Sequence, residues 1–237
     1  MLLNATTAIS TSKVLLVPYA KWHVLRYHEW MKDEEIQEAT ASEPLTLEEE
    51  YAMQESWRND PDKLTFIICL PARNPHGNTP HLTEECDAPA RMVGDINLFL
   101  RIEDGGEEGS RPQIIGEIEL MIAEKKDQRR GFGKAALLAF LRYVIGHEKD
   151  LVREFLSRDE MEGSDAKIAA LSVKIGQANE RSLALFEGVQ FRRISAEPNY
   201  FREWELRRTD LRRVSVEDAL VGAGVGGYVE VLYERSQ

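Results

Sequence analysis

From Gly116 to Ile145 the chain reads GEIELMIAEKKDQRRGFGKAALLAFLRYVI, and this stretch limits the possible folds more than any other. Ile114, Ile118, Leu120 and Ile122 alternate with Glu117, Glu119 and Met121, the period-two pattern of a half-buried strand. A charged turn from Glu124 to Arg130 leads into Gly131-Phe132-Gly133. The run from Ala135 to Ile145 is then apolar on nearly every side, which predicts a helix buried on most faces. A strand that turns through glycines into a buried helix makes an anion site. The first helical amides have no partners within the helix, and its dipole places partial positive charge there. Glycines at 131 and 133 let phosphates approach the backbone without meeting a Cβ.

The chain of 237 residues suits one domain with insertions. A formal charge of −11 argues against nucleic-acid binding, provides no polybasic membrane patch and suits a cationic substrate, although many soluble proteins are acidic without such a partner, the plainer reading. No apolar run reaches the roughly 20 residues of a membrane span. The opening MLLNATTAISTS lacks a basic leader, so no secretory signal is expected. Two cysteines, Cys69 and Cys86, form no CxxC pair, which suggests reduced thiols in the cytosol or nucleus. His76, His81 and Cys86 match no common ligand spacing, so no metal is expected. His23 and His28 read as packing or surface residues.

Along the chain, Lys13 to Pro18 predicts a strand closed by proline, and Trp22 to Met31 a helix. Thr46 and Glu49 have the form of a capping box at the start of a helix running to about Trp57. Strands follow at Leu64–Leu70 and Met92–Leu100, separated by a Pro- and Gly-containing insertion over 73–91. Residues 104–112 read as a hairpin loop into the opening stretch, and 147–165 as a charged, helical or irregular insertion. Ala169–Ile175 predicts another buried strand, Asn179–Glu187 a short helix, and Phe191–Ile194 with Tyr200–Arg207 a final antiparallel pair. The glycine-containing tail from Val214 is the least legible part.

The glycine loop is neither a P-loop nor a dinucleotide fingerprint. Gln128-Arg129-Arg130-Gly131-Phe132-Gly133-Lys134-Ala135 resembles the Q/R-x-x-G-x-G/A loop of the GNAT superfamily of N-acetyltransferases. Lys174 to Ser182, followed by Phe186 and Phe191, resembles that superfamily's second signature, in which an N-x-x-S helix start follows a strand splayed from its neighbour. The blocks ASEPLTLE (41–48), EYAMQ (50–54), VGDINLFL (93–100) and GEIE (116–119) are similar to the N-acetyltransferase 9 branch, with coverage from about Leu3 to Arg208. The resemblance implies an α/β (α+β) GNAT acyl-CoA N-acyltransferase fold. That fold is a mixed, mostly antiparallel sheet with a splayed central strand pair and flanking helices. It would occupy residues 1–208, with insertions near 73–91, 103–112 and 147–167, and 209–237 as a C-terminal extension. Acetyl-CoA is the implied cosubstrate, held by Ile122, Ala123, Gln128, Arg129, Arg130, Gly131, Phe132, Gly133, Lys134, Asn179, Ser182 and Phe186. Asn179 has a plainer reading as an N-cap, and the two roles are compatible. The acidic surroundings of the ASEPLT segment, Glu43 and Glu48 to Glu50, lie where related enzymes bind the acceptor, although a capped helix start accounts for them equally well.

Acetyl transfer to an amine requires the neutral amine, a polarised thioester carbonyl and a departing thiolate. A lysine amine has a pKa of about 10.4 and an α-amine about 8, so a base is useful. Glu117 and Glu119 project from one strand face. Glu117 lies eleven residues before Gln128, the spacing of the base glutamate in histone-acetylating GNATs, and is preferred, with Glu119 in reserve. The other reading is that both line a solvated strand face. The resemblance places the carbonyl polariser at a backbone amide after a strand bulge, near Ile122 or Ala123. Many GNATs carry a tyrosine as leaving-group acid seven residues after the asparagine. Here that position is Phe186, which cannot donate a proton, so Ser182, water or Tyr200 would have to act, or the thiolate leaves unaided. The expected function is acetyl-CoA-dependent N-acetylation of a primary amine of a protein or peptide, by direct transfer in a ternary complex. The alternative is a catalytically weak acetyl-CoA-binding scaffold.

Overall fold

The computed structural model describes residues 1–72, 82–104, 112–157 and 166–235. Strands β1 (Thr7–Ser10) and β2 (Leu15–Pro18) form the opening hairpin. Helices α1 (Val24–Trp30), α2 (Glu34–Thr40) and α3 (Leu47–Asn59) follow, then β3 (Lys63–Cys69), β4 (Met92–Glu103) and β5 (Gln113–Ile122). Beyond the glycine loop come α4 (Phe132–Gly146), α5 (Glu148–Leu156), β6 (Ile168–Gly176) and α6 (Glu180–Glu187). The chain ends with β7 (Arg192–Arg193), β8 (Glu203–Arg208), α7 (Arg213–Gly222) and β9 (Val229–Leu232). The strands form one sheet in the order β7-β8-β6-β5-β4-β3-β2-β1-β9. The β5–β6 pair is parallel, and every other pairing among the described residues is antiparallel.

Period-two alternation divides the layers. On one face Phe66, Ile68, Ile96, Leu98, Leu100, Ile114 and Ile118 pack with the buried run Ala135–Leu141 of α4, and Val216 and Leu220 of α7 join this core. On the other, Val17, Tyr19, Ile67 and Cys69 meet Val24, Tyr27 and Trp30 of α1 and Met31 just after it. The Thr46–Glu49 capping box forms as the sequence predicts: Thr46 Oγ1 accepts from the Glu49 amide, and Glu49 Oε2 accepts from the Thr46 amide. Among the described residues no helix is long and apolar enough to cross a membrane.

The structure adds what the sequence pattern did not signal. Residues 213–232, read as part of an extension, supply α7 and the edge strand β9, which pairs with β1 from Thr7–Leu232 to Ser10–Val229. The end of the chain is tied down further at the buried carboxylate of Asp87. It accepts from Trp22 Nε1 (3.1 Å), His23 Nε2 (3.0 Å), the Tyr233 hydroxyl and Arg235. Burial keeps His23 below its ordinary pKa, so its Nδ1 is free to accept from the Ala20 amide. Helix α2 was not expected; Asp33 caps it by accepting from the Glu35 amide. The final strand begins at Glu203 rather than Tyr200. His76, His81 and most of the expected loop over 104–112 lie outside the described residues, as does the second half of the 147–165 insertion.

Candidate active site

Gly131 initiates α4 at φ +85°, a conformation that favours glycine, and the space where its Cβ would stand is open. Arg129 is also left-handed, at φ +60°, so the backbone turns sharply twice within three residues. The Gly131 carbonyl accepts from the Ala135 amide at 3.0 Å, and no side chain caps the helix. The amides of its first turn therefore lack intrahelical partners. A Cβ at Gly133 would come no closer than 3.7 Å to protein atoms, those of Ile122 and Leu185, so the chain's own packing does not require glycine there. Arg129, Arg130 and Lys134 are exposed around this opening. Arg130 is directed by an ion pair with Asp127 and lies 5.1 Å over the ring of Phe132. Gln128 Nε2 donates to the Ile122 carbonyl at 2.9 Å, fastening the loop to the end of β5. Glu124, at the start of the turn, is held from α1 by Arg26 and by Trp30 Nε1 (2.8 Å). An uncapped helix end with open glycines and exposed cations fits the pyrophosphate of a coenzyme A thioester.

Beside this loop the sheet opens. Parallel pairing of β5 with β6 runs from Ile114–Ile168 to Glu117–Ser172 and stops, while the strands continue to Ile122 and Gly176. This is the splayed central pair that the resemblance implies. Leu120 and Ile122 flank the opening on the α4 side, with Leu185 of α6. Asn179 Oδ1 accepts from the Ser182 amide at 3.1 Å, so Asn179 acts as the N-cap of α6. Ser182 lies three residues before Leu185 and shares its helix face, toward the glycine loop. Phe186 is buried and packs edge-on against Phe191 at 5.1 Å, so it contributes to the core. Tyr200 is 94% exposed, edge-on to Phe201 and away from any polar partner among the described residues.

Two backbone expectations change. The Ala123 amide donates to the Val93 carbonyl at 2.9 Å and is therefore not available to an acyl oxygen. Pairing of β4 with β5 is regular from Glu103–Gln113 to Gly94–Ile122, without the bulge expected near Ile122; the register shift in β5 lies at Ile114/Ile115, against β6.

The two glutamates occupy different surroundings. Glu117 Oε2 accepts from Arg101 Nη1 at 2.8 Å and from Lys174 Nζ at 3.0 Å. Arg101 in turn binds Glu103, which Arg207 holds from β8. Glu119 has no hydrogen-bond or ion-pair partner among the described residues. Burial pushes its carboxyl up to about 7, with the charges of Asp95 and Glu117 adding to the rise and Lys174 opposing it. The Glu119 side chain is nonetheless exposed to water in the cleft, and the neighbouring carboxylates of Asp95 and Glu117 raise it at any exposure.

Sequence reasoning missed the layer behind Glu119. Asp95 is buried and accepts from Asn97 Nδ2 (2.8 Å) and the Tyr27 hydroxyl (3.4 Å). Burial pushes it up to about 6 against those two hydrogen bonds. The same face holds buried polar atoms without hydrogen-bond partners among the described residues: Tyr19 Oη, His28 Nδ1, Glu50 Oε2, Thr65 Oγ1 and Asn97 Oδ1, with His28 Nδ1 3.9 Å from Glu50 Oε1. The available signal was Asp95 and Asn97 alternating in the otherwise apolar VGDINLFL. Such a layer is costly to bury and suits water or a polar acceptor.

The fold agrees with comparisons to known proteins. Residues 13–192 match the acetyltransferase (GNAT) domain model. The chain belongs to the acetyltransferase (GNAT) family. This GNAT chain is 39% identical over 231 residues to an N-acetyltransferase 9-like protein of Schizosaccharomyces pombe, covering 88% of this chain and 100% of that protein. It is 42% identical over 211 residues to human alpha/beta-tubulin-N-acetyltransferase 9, covering 88% of this chain and 86% of the relative. The family and these named relatives make it an N-acetyltransferase. Among solved structures, a GNAT acetyltransferase from Bacillus anthracis superposes with a TM-score of 0.55 at 15% identity, covering 86% of this chain and 99% of that one. Spermidine N-acetyltransferase from Vibrio cholerae, solved with CoA and spermine, does so at 0.54 and 13% identity, covering 83% and 94%.

Proposed function

We propose that this GNAT enzyme transfers acetyl from acetyl-CoA directly to a primary amine of a protein, with Glu119 as the general base. The observation that carries the reading is the contrast between the glutamates. Glu117 spends its carboxylate on Arg101 and Lys174, whereas Glu119 has no partner among the described residues where β5 and β6 part, one turn of chain from the uncapped end of α4. The preference drawn from spacing therefore passes from Glu117 to Glu119.

In this reading the amides of Phe132 to Lys134, with Arg129 and Lys134, hold the pyrophosphate, and Leu120, Ile122 and Leu185 flank the pantetheine. Bound acetyl-CoA supplies the activated thioester. Glu119 takes the proton of the incoming ammonium, directly or through water. A base near 7 suits an α-amine of pKa about 8 better than a lysine of about 10.4, which favours an N-terminal acceptor. Ser182, on the helix face toward the loop, is the side chain available to the leaving thiolate, since Phe186 is apolar and buried. The tubulin named for the human relative is the protein acceptor we put forward.

The test is turnover of acetyl-CoA with tubulin N-terminal peptides, free and blocked at the α-amine. Free peptides should react and blocked ones should not; equal rates would point to lysine. Glu119→Gln should lower kcat by roughly 10²–10⁴-fold with acetyl-CoA binding retained, and Glu117→Gln should cost less. The reverse order would return the role to Glu117. Acetyl-CoA binding without turnover on any peptide would leave the scaffold reading.

A further inference from the structure

We infer that Asp95 is a positioning residue for the base: its buried carboxylate, oriented by Asn97 and Tyr27, lies beside Glu119 and holds that side chain ready to accept a proton. This rests on the reading of Glu119 as the base. The register of β4 against β5 sets Asn97 opposite Glu119 and Asp95 opposite Met121, so Asp95 is the diagonal neighbour of Glu119 on the same sheet face. Antiparallel strands bring such diagonal side chains within reach of one another.

The charges facing Glu119 come from several elements. Glu117 stands on its own strand, Lys174 on β6, Asp95 on β4, and the Tyr27 hydroxyl reaches in from α1. Behind Tyr27 lie Tyr19 and, from α3, the buried Glu50. The negative charge of Glu117 is compensated by Arg101 and Lys174. Asp95 has no cation against it among the described residues and is held by two neutral donors. It is therefore the uncompensated carboxylate beside the base, and like charges at such range disfavour simultaneous ionisation. The charge of Asp95 therefore raises the Glu119 carboxyl.

Asn97 adds a second element. Its Nδ2 is committed to Asp95, which leaves its buried Oδ1 without a partner among the described residues. That oxygen can accept the O–H of Glu119 once the proton has arrived, and so favours the protonated form. Tyr27 is fixed by its rings' neighbours, Tyr19 at 5.1 Å and Trp30 at 6.1 Å, and Trp30 is itself bonded to Glu124 at the entrance to the glycine loop. The cluster thus joins β4, α1 and the cofactor turn.

The experiment is the pH dependence of kcat/KM for the native enzyme, Asp95→Asn, Asn97→Ala and Glu119→Gln, with thermal shift by acetyl-CoA recorded for each. Removing the Asp95 charge should move the acid limb about one pH unit lower, the size expected for losing one close like charge. The plateau above it should fall several-fold, because a weaker base drives proton transfer less. Asn97→Ala removes both the donor to Asp95 and the acceptor for Glu119, and should move the limb in the same direction. It decides the matter if Asp95→Asn does not fold. Acetyl-CoA should stabilise each folded variant as it does the native chain. A merely structural role would lower stability or rate at every pH and leave the limb in place. An unmoved limb in a folded variant, with Glu119→Gln inactive, overturns the inference and leaves the base standing. An unchanged rate in Glu119→Gln overturns the base itself.

Discussion

Strands β4 and β5 turn Ile96, Leu98, Leu100, Ile114 and Ile118 toward α4, and Asp95, Asn97, Glu117 and Glu119 toward α1 and α3. The same backbone thus carries two unlike surfaces, separated only by the alternation of side chains along a strand. On the α4 side nearly every atom is apolar and enclosed, at roughly 25 cal/mol of stabilisation per Å² buried. On the α1 side several buried polar atoms have no hydrogen-bond partner among the described residues, and the buried Asp95 carboxyl is pushed toward neutrality. Burying such groups opposes folding. The difference teaches that the apolar face supports a destabilising arrangement on the other, where the proposed proton transfer would require it.

The largest effect should come from damaging the supporting face. Phe140 of α4 is fully buried, edge-on to Phe66 at 6.1 Å. Phe140→Ala should cost about 3–5 kcal/mol, read by urea unfolding, and lower activity through loss of folded protein. If the folded fraction of the variant keeps native kcat and native pH dependence, the two faces are separable as described. A changed pH profile would show that α4 also tunes the chemistry.

The parts legible in the sequence are those whose signals are local. The strand, turn and helix from Gly116 to Ile145 carry their own periodicities and glycines, and the capping box at Thr46 and Glu49 spans one turn. What escaped depends on register and on distant partners. Thr7–Ser10 is too short to announce itself and becomes a strand by pairing with β2 and, more than 200 residues later, with β9. Choosing between Glu117 and Glu119 needed Arg101 from β4 and Lys174 from β6, positions that no spacing within β5 reveals. The role of Asp95 likewise appears only when β4 is set against β5 and α1 is laid over both.

The next prediction reverses the usual sign of a core mutation. Burial raises Asp95 from an ordinary 3.8 to about 6. A carboxyl raised in the folded state favours folding below its unfolded pKa, and that contribution is lost as pH rises through the folded value. Between pH 4 and pH 7 the native chain should lose about 2.4 kcal/mol on this account. Asp95→Asn cannot ionise, so in urea unfolding it should gain on the native protein as pH rises and be the more stable of the two at pH 8. A gain in stability joined to a loss of rate would sharpen the contrast between the faces. Equal pH dependence in both proteins would mean that Asp95 is charged at no cost, and the polar face would then be no burden to the fold.

The smallest effect belongs to the point where the faces meet, the glycine at the start of α4. Gly131 stands at φ +85° with open space around its missing Cβ, so Gly131→Ala meets no steric obstacle beyond its own backbone. The left-handed conformation alone should cost about 1–2 kcal/mol of stability. Gly131→Glu incurs a comparable backbone cost and adds a carboxylate where the proposed pyrophosphate sits. Ligand binding to the native chain should stabilise it by about 2.7 kcal/mol at a hundredfold excess of acetyl-CoA over Kd. The alanine variant should keep much of that gain and the glutamate variant should lose it. Thermal unfolding of both, with and without acetyl-CoA, separates the conformational cost from the electrostatic one. Full stabilisation of the glutamate variant by acetyl-CoA would remove the pyrophosphate from this helix end and, with it, the placement of the thioester beside Glu119.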